Sequence, residues 1–336
     1  MIYEKIDVTE TTLNKELEDI RRRADVDSLQ DALYFPKYFQ IETIRICNAH
    51  CPFCPVDEWD KSVPLMADNL FDKIVEEMSD YSDWIEFLAL QRAGEPLLDK
   101  KIVKRVKKLK DIGIKRVSIS TNASRLFEKK SIELLEAGLD EIMLSIDAVD
   151  KENYEKTRVG LNYNDVIANI RGFFKLRDQI NPNCVIRVRG VSFYDINNIQ
   201  HQEALKKWEN FWGELRKDTD RIYMKKAHNW GNQKEWEGHT PSYGNVFHPC
   251  VLPWSTMHVT AMGIVPLCPQ DFDGVANLGD INTQSIAEVW RGEKWQKVRE
   301  QHSTGRRNEI SLCRGCRLFD LDNNLENWQQ KRLSDS

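Results

Sequence analysis

From residue 40 onward the chain alternates short apolar runs with longer segments whose apolar positions recur every three or four residues. The short runs at 40–46, 84–90, 116–120, 141–146, 184–191 and 221–226 read as strands. Between them, Leu70, Ile74, Val75 and Met78 mark one face of a helix over 69–78, and Val166, Ile170 and Phe173 mark another over 164–176. Further helices are predicted over 100–109, 129–137 and 202–215; Gly113 and Gly138 follow the first two as stop signals.

A repeated strand–helix order implies a parallel sheet with helices outside it. Six such units are too few for a closed eight-fold barrel. The pattern predicts an α/β fold, a partial (β/α)6 barrel over residues 40–226, open on one side for a substrate. Active sites in such barrels gather at the C-terminal ends of the strands. Residues 1–39 read as a helical extension, with a helix over 13–22, for packing or a partner surface. Residues 227–249, with Gly238, Pro241, Gly244 and Pro249, read as a linker. A small α+β domain is expected over 250–320. In it a hairpin turns at 261–263 between strands over 257–260 and 264–267, and a helix runs over 285–301. Residues 321–336 are a polar tail expected to fray.

The chain has 336 residues, 41% of them hydrophobic and 30% charged, enough for a large core under a well-solvated surface. The net charge of −5 and the lack of a basic run argue against a nucleic-acid partner. No apolar run reaches the roughly 18 residues of a membrane span. The N-terminus lacks a signal-peptide pattern, so a cytoplasmic protein with no membrane partner is expected.

The cysteines change this picture most. Of eight, three lie in Arg45-Ile46-Cys47-Asn48-Ala49-His50-Cys51-Pro52-Phe53-Cys54-Pro55, four are Cys250, Cys268, Cys313 and Cys316, and Cys184 stands apart. Clustered thiols in a long chain without an export signal point to metal rather than disulfides. The first three, spaced CxxxCxxC after the first strand, can hold three corners of a cubane iron–sulfur cluster and leave one iron open to an outside ligand. The C-terminal four make a closed site, and spacing alone does not separate zinc from a 4Fe–4S cluster there. Polar residues also stand at strand ends: Gly94-Glu95-Pro96 after the second, Ser120 and Asn122 after the third, Ser145 and Asp147 after the fourth. Such residues also serve as ordinary helix caps and turns. Arg187 and Arg189 share one face of the fifth strand by its period of two.

CxxxCxxC with Phe53 before its last cysteine resembles the signature of the radical S-adenosylmethionine (SAM) superfamily. The resemblance implies a 4Fe–4S cluster on Cys47, Cys51 and Cys54, with SAM on the open iron. It also implies an external reductant such as flavodoxin or ferredoxin. Gln91-Arg92-Ala93-Gly94-Glu95-Pro96 resembles the family's GGEP motif, with Ala93 in place of a glycine, and implies that Gly94 and Glu95 meet the SAM amino group. By the same resemblance Phe53, Ser120, Asn122, Ser145, Asp147, Arg158 and Arg189 are candidate SAM contacts. The C-terminal four cysteines resemble the "twitch" module, a shortened SPASM domain. They imply one auxiliary 4Fe–4S cluster, two clusters in all.

Two chemistries then compete: oxidation of an alcohol carbon with the auxiliary cluster accepting an electron, or epimerisation with a protein group returning hydrogen. Cys184 is the only cysteine left for the second role, and it starts its strand at the wrong end of the barrel. Tyr223 and Tyr243 are the remaining candidate donors. Lys225-Lys226-Ala227-His228-Asn229-Trp230 offers hydrogen bonders and an aromatic face, which suits a small polar substrate such as a sugar or aminocyclitol. His228 is a candidate base. A peptide-modifying enzyme and a non-catalytic metal scaffold are the other readings.

Overall fold

The computed structural model describes residues 10–194, 198–234, 246–272 and 274–316. Tyr243, most of the Gly- and Pro-rich stretch and the polar tail lie outside the described residues. Helix α1 (Glu10–Ala24) leads into strand β1 (Tyr38–Ile41). Then follow α2 (Asp68–Ser79), β2 (Phe87–Ala89), α3 (Ile102–Asp111), β3 (Val117–Thr121), α4 (Glu128–Glu136), β4 (Glu141–Ser145), α5 (Lys151–Thr157), α6 (Tyr163–Ile180), β5 (Val185–Ser192), α7 (Ile199–Trp212) and β6 (Arg221–Lys226). The C-terminal part holds α8 (Leu252–Ser255), β7 (Thr256–Val259), β8 (Ile264–Pro266), β9 (Asn277–Asp280), α9 (Ile286–Arg291) and α10 (Glu293–Ser303).

Strands β1 to β6 form the expected parallel sheet. Helices cover its outer face, as a parallel sheet requires. Leu70, Phe71, Ile74, Val75 and Met78 of α2 and Val166, Ile170 and Phe173 of α6 are buried there. Along β5 burial alternates strictly: Ile186, Val188 and Gly190 are buried, while Arg187, Arg189 and Val191 are only partly so. Arg189 and Val191, on that second face, line the interior cavity.

Three expectations are corrected. Among the described residues the sheet has seven strands, in the order β6-β5-β4-β3-β2-β1-β7. The added β7 comes from the C-terminal part and runs parallel to β1, pairing Tyr38 with Thr256 and Ile41 with Val259. It satisfies the backbone groups of β1's outer edge and buries Met257 and Val259 completely. The predicted hairpin is therefore not one. Its turn exists, with Gly263 at φ +86 and its N–H on the Thr260 carbonyl at 2.9 Å. Beyond it, however, β8 ladders with β9 in antiparallel register. The helix over 285–301 is two helices. Ser285 and Glu288 make a capping box for α9, and Gly292 at ψ 160 breaks the path before α10. The break brings Trp290 and Trp295 together at 4.6 Å, both fully buried.

Helix α1 docks on this C-terminal part: Ile20 and Ala24 pack with Val251, Leu252 and Trp254. Trp290 Nε1 donates to the Ala32 carbonyl at 2.9 Å. No helix among the described residues is long and apolar enough to cross a membrane.

On β7, His258 is buried with Nδ1 3.1 Å from Gln40 Oε1. Burial, and then the charge of Arg92, push its pKa down to about 3. The unfolded chain binds that proton below about pH 6.5, whereas the folded chain does not until about pH 3. Stability should fall with pH through this window, His258 contributing about 1.4 kcal/mol per pH unit. Denaturant titrations of His258→Gln should show that much less slope.

Candidate active site

Strand β1 ends at Ile41, and the chain after it carries the cysteine loop across the C-terminal ends of the neighbouring strands. The loop is pinned to the turn after β2. Glu95 N–H donates to the Ile46 carbonyl at 2.8 Å. Gly94 sits at φ +68, where a Cβ would lie 2.5 Å from the Ile44 carbonyl oxygen and 2.8 Å from that of Ile46. Only glycine meets both demands. Gly94→Ala should cost at least roughly 1–3 kcal/mol and lower the thermal midpoint of the metal-free chain.

Glu95 is buried, and its carboxylate accepts from Leu97 N–H (3.0 Å), Thr121 Oγ1 (2.6 Å) and Asn122 N–H (2.7 Å). Burial raises its pKa against the opposing pull of these bonds. It holds the ends of β2 and β3 together. Asn122 then reaches Asn48 Oδ1 at 3.1 Å and Cys47 Sγ at 3.9 Å.

The three sulfurs are suited to a cluster. Burial pushes the Cys47 thiol up to about 11 and Cys54 to about 12, and raises Cys51 as well. A bound metal reverses that tendency, because the ligand is the thiolate. N–H donors already point at sulfur: Ala49 at 3.4 Å from Cys47 Sγ, and Arg158 Nη1 at 3.6 Å from Cys51 Sγ. Arg158 is itself held by Asp147 at 2.6 Å. Burial alone would lower the Arg158 pKa; Asp147 and Cys51 outweigh it and keep the guanidinium charged.

In the C-terminal part, burial raises Cys268, and its next neighbours in effect are Cys313 and Cys316. Burial likewise pushes Cys313 up to about 12, with Cys250 and Cys316 adding to it. Cys268 packs against one apolar cluster with Cys250 and against another with Cys313. Arg307, fully buried, ties their segments together by donating to the His248 carbonyl at 2.7 Å and the Cys316 carbonyl at 2.6 Å. Among the described residues, no three Cys, His, Asp or Glu side chains close on a point narrow enough for one metal ion. A zinc ion needs every sulfur at about 2.3 Å. A cubane puts each cysteine on a different iron, and four thiolates are a donor set it takes.

A cavity of about 340 Å³ opens on the first cysteine set and reaches Pro269 and Gln270, next to Cys268. Its wall includes Cys47, Cys51, Cys54, Phe53, Gly94, Glu95, Ser120, Asn122, Ser145, Arg158, Arg189 and His228. Asp147 and Tyr223 are not on it. Asp147, at φ +72, turns under to hold Arg158 and the Val191 N–H (2.9 Å), and the Tyr223 hydroxyl meets Met143 Sδ at 3.3 Å. Cys184 is buried at the far end of β5, where its carbonyl accepts from Arg177.

Lys225, read from the sequence as part of a substrate-facing segment, lines the cavity, and so do Arg92 and Gln270, to which the sequence reading gave no role of their own. The period of two along β6 carries the signal for Lys225, as it does for Arg187 and Arg189 on β5. For Arg92 and Gln270 no local signal exists. Buried Glu42 takes Arg92 at 3.3 Å and Arg45 at 3.1 Å, and Arg92 also donates to the Asp271 carbonyl. The stretch after β6 bridges both cysteine sets. Trp230 Nε1 donates to the Phe53 carbonyl at 3.0 Å, Gln233 to that of Gln270 at 2.8 Å, and Asn232 to those of Ser311 (3.0 Å) and Arg314 (2.9 Å).

Comparison with known proteins agrees with this geometry. Residues 41–187 match the model of the radical SAM superfamily, and residues 250–317 match that of SPASM, an iron–sulfur cluster-binding domain. GTP 3',8-cyclase of Limosilactobacillus fermentum is 34% identical over 134 residues, covering 40% of this chain and 40% of that protein. The chain thus spans well under half the length of that relative. BtrN in complex with AdoMet and 2-DOIA superposes with a TM-score of 0.57 at 20% identity, over 83% of this chain and 92% of that one. SuiB of Streptococcus suis, bound to precursor peptide SuiA, gives 0.62 at 14% identity over 96% and 81%. At these identities the two structural likenesses are ones of fold. A radical SAM domain takes a 4Fe–4S cluster and SAM, and the second domain takes a further iron–sulfur centre. The chain carries a radical SAM domain over residues 41–187 and a SPASM-type iron–sulfur cluster-binding domain over residues 250–317.

Proposed function

We propose that the chain is a radical SAM oxidoreductase that oxidises an alcohol carbon of a small polar substrate, sugar- or aminocyclitol-like. The observation that carries this reading is the closed set of four C-terminal cysteines. Four thiolates leave no open position for substrate, so a cluster there exchanges electrons only. When bound, the first cluster and SAM supply a hydrogen-abstracting radical and the second cluster an electron acceptor.

The chain's own residues supply the rest. Cys47, Cys51 and Cys54 hold the first cluster, and Gly94, Ser120, Asn122, Ser145 and Arg158 form the wall around SAM. Phe53 and Trp230 shut one side of the cavity against water. His228 Nδ1 accepts the Trp230 N–H at 3.3 Å. His228 lines the cavity as a polar group for a substrate hydroxyl. Cys184 lies away from the cavity wall, which disfavours a thiol-quenched epimerisation. The reductant is a flavodoxin or ferredoxin.

A nucleotide cyclisation is the second reading, favoured by the 34% identity to a GTP 3',8-cyclase over 134 residues. The test is a turnover in deuterated water with SAM and reductant, offering sugars, aminocyclitols and GTP in parallel. Oxidation predicts a carbonyl product without solvent deuterium at the reacting carbon. Solvent deuterium there contradicts it and supports epimerisation, while a cyclised nucleotide supports the second reading.

A further inference from the structure

The charges on the cavity wall are unevenly matched. Arg158 is paired with Asp147 at 2.6 Å, and Arg92 with Glu42 at 3.3 Å. Glu95, the one wall carboxylate among the described residues, is spent on Leu97, Thr121 and Asn122. Arg189 and Lys225 differ. Arg189 donates to Ser145 Oγ at 3.1 Å, and its buried Nε has no hydrogen-bond partner. Among the described residues, neither Arg189 nor Lys225 has a carboxylate partner. They come from adjacent strands, Val191 facing Lys225 in the β5–β6 register. Burial, then the nearby charges of Arg189 and Arg187, lower the Lys225 pKa to about 8, so the two cations feel each other.

Two cations in a buried cavity repel and are poorly solvated, a cost that an anion offsets. SAM brings one carboxylate. Two uncompensated cations leave one charge over. We propose that Arg189 and Lys225 form an anion subsite that binds a phosphate or carboxylate group of the substrate, distinct from the carboxylate of SAM. This deepens the proposed function, on which it rests: the polar substrate carries an oxyanion and is oriented by it. Lys225 acts as a specificity-determining residue, since a neutral analogue leaves its charge unpaired.

The experiment uses reconstituted, SAM-loaded enzyme titrated with inorganic pyrophosphate and, in a parallel arm, with malonate. Binding is read by calorimetry and SAM affinity is measured in the same samples. Wild type should bind at least one anion, and the tighter of the two tells a phosphate from a carboxylate. Lys225→Met should weaken that binding at least tenfold and leave SAM affinity unchanged, and Lys225→Arg should restore it. The proposal is overturned if wild type binds neither anion, or if Lys225→Met weakens SAM while sparing the anion. Production of 5′-deoxyadenosine in the same samples reads the underlying function separately. Enzyme that cleaves SAM but ignores both anions loses only the subsite, and enzyme that binds the anion without cleaving SAM loses only the function.

Discussion

Replacing Cys51 by Ala is expected to remove about four of the roughly eight irons per chain and to abolish reductive cleavage of SAM. Its sulfur is buried with those of Cys47 and Cys54, and the Arg158 guanidinium stands 3.6 Å away. With two sulfurs left, the cubane has no third corner and SAM no iron to chelate. Of the C-terminal cysteines, Cys268 and Cys313 pack against a separate apolar cluster of Leu267, Val298 and Leu312. The C-terminal four should keep their own cluster. Iron analysis and spectroscopy of the variant, beside assay of 5′-deoxyadenosine, check both halves. Loss of all the iron would show that the two sites do not load independently.

Asp147→Asn has the second large effect. The substitution keeps a residue that tolerates φ +72 and keeps the oxygen that accepts the Val191 N–H at 2.9 Å. It removes the charge opposite Arg158 and sets an amide NH2 against the guanidinium in place of Oδ2. A buried cation left without its partner costs about 3–5 kcal/mol. The denaturant midpoint of the metal-free chain should fall accordingly. Asp147→Asn combined with Arg158→Met should recover most of the loss, because a buried ion pair replaced as a whole by neutral groups is close to break-even. An unchanged midpoint in the single variant would show that solvent already screens this pair.

Much of this architecture was legible in the residues. The alternation of apolar runs with amphipathic helices suffices for the parallel sheet, because each unit is local. The cysteine loop is legible because its chemistry is confined to eight consecutive residues, Cys47 to Cys54. What escaped is non-local. Thr256–Val259 reads as half of a hairpin, yet its partner is β1, more than two hundred residues earlier. No spacing rule reports that pairing. The helix over 285–301 reads as continuous because its apolar positions keep period, and it breaks because Trp290 and Trp295 both enter the core. In the site, Asp147 reads as a ligand contact from its place after β4, and in the structure its carboxylate meets Arg158 and the Val191 N–H. Arg92 and Gln270 meet only because the β2 turn and the Cys268 loop pack against each other, and no motif encodes that packing.

The central claim is that Cys47, Cys51 and Cys54 hold one iron–sulfur cluster and Cys250, Cys268, Cys313 and Cys316 another. The most direct test is metal and acid-labile sulfide analysis of the anaerobically purified and reconstituted chain. Two 4Fe–4S clusters predict about eight irons and eight sulfides per chain. Zinc in place of iron, with no labile sulfide, would contradict the claim.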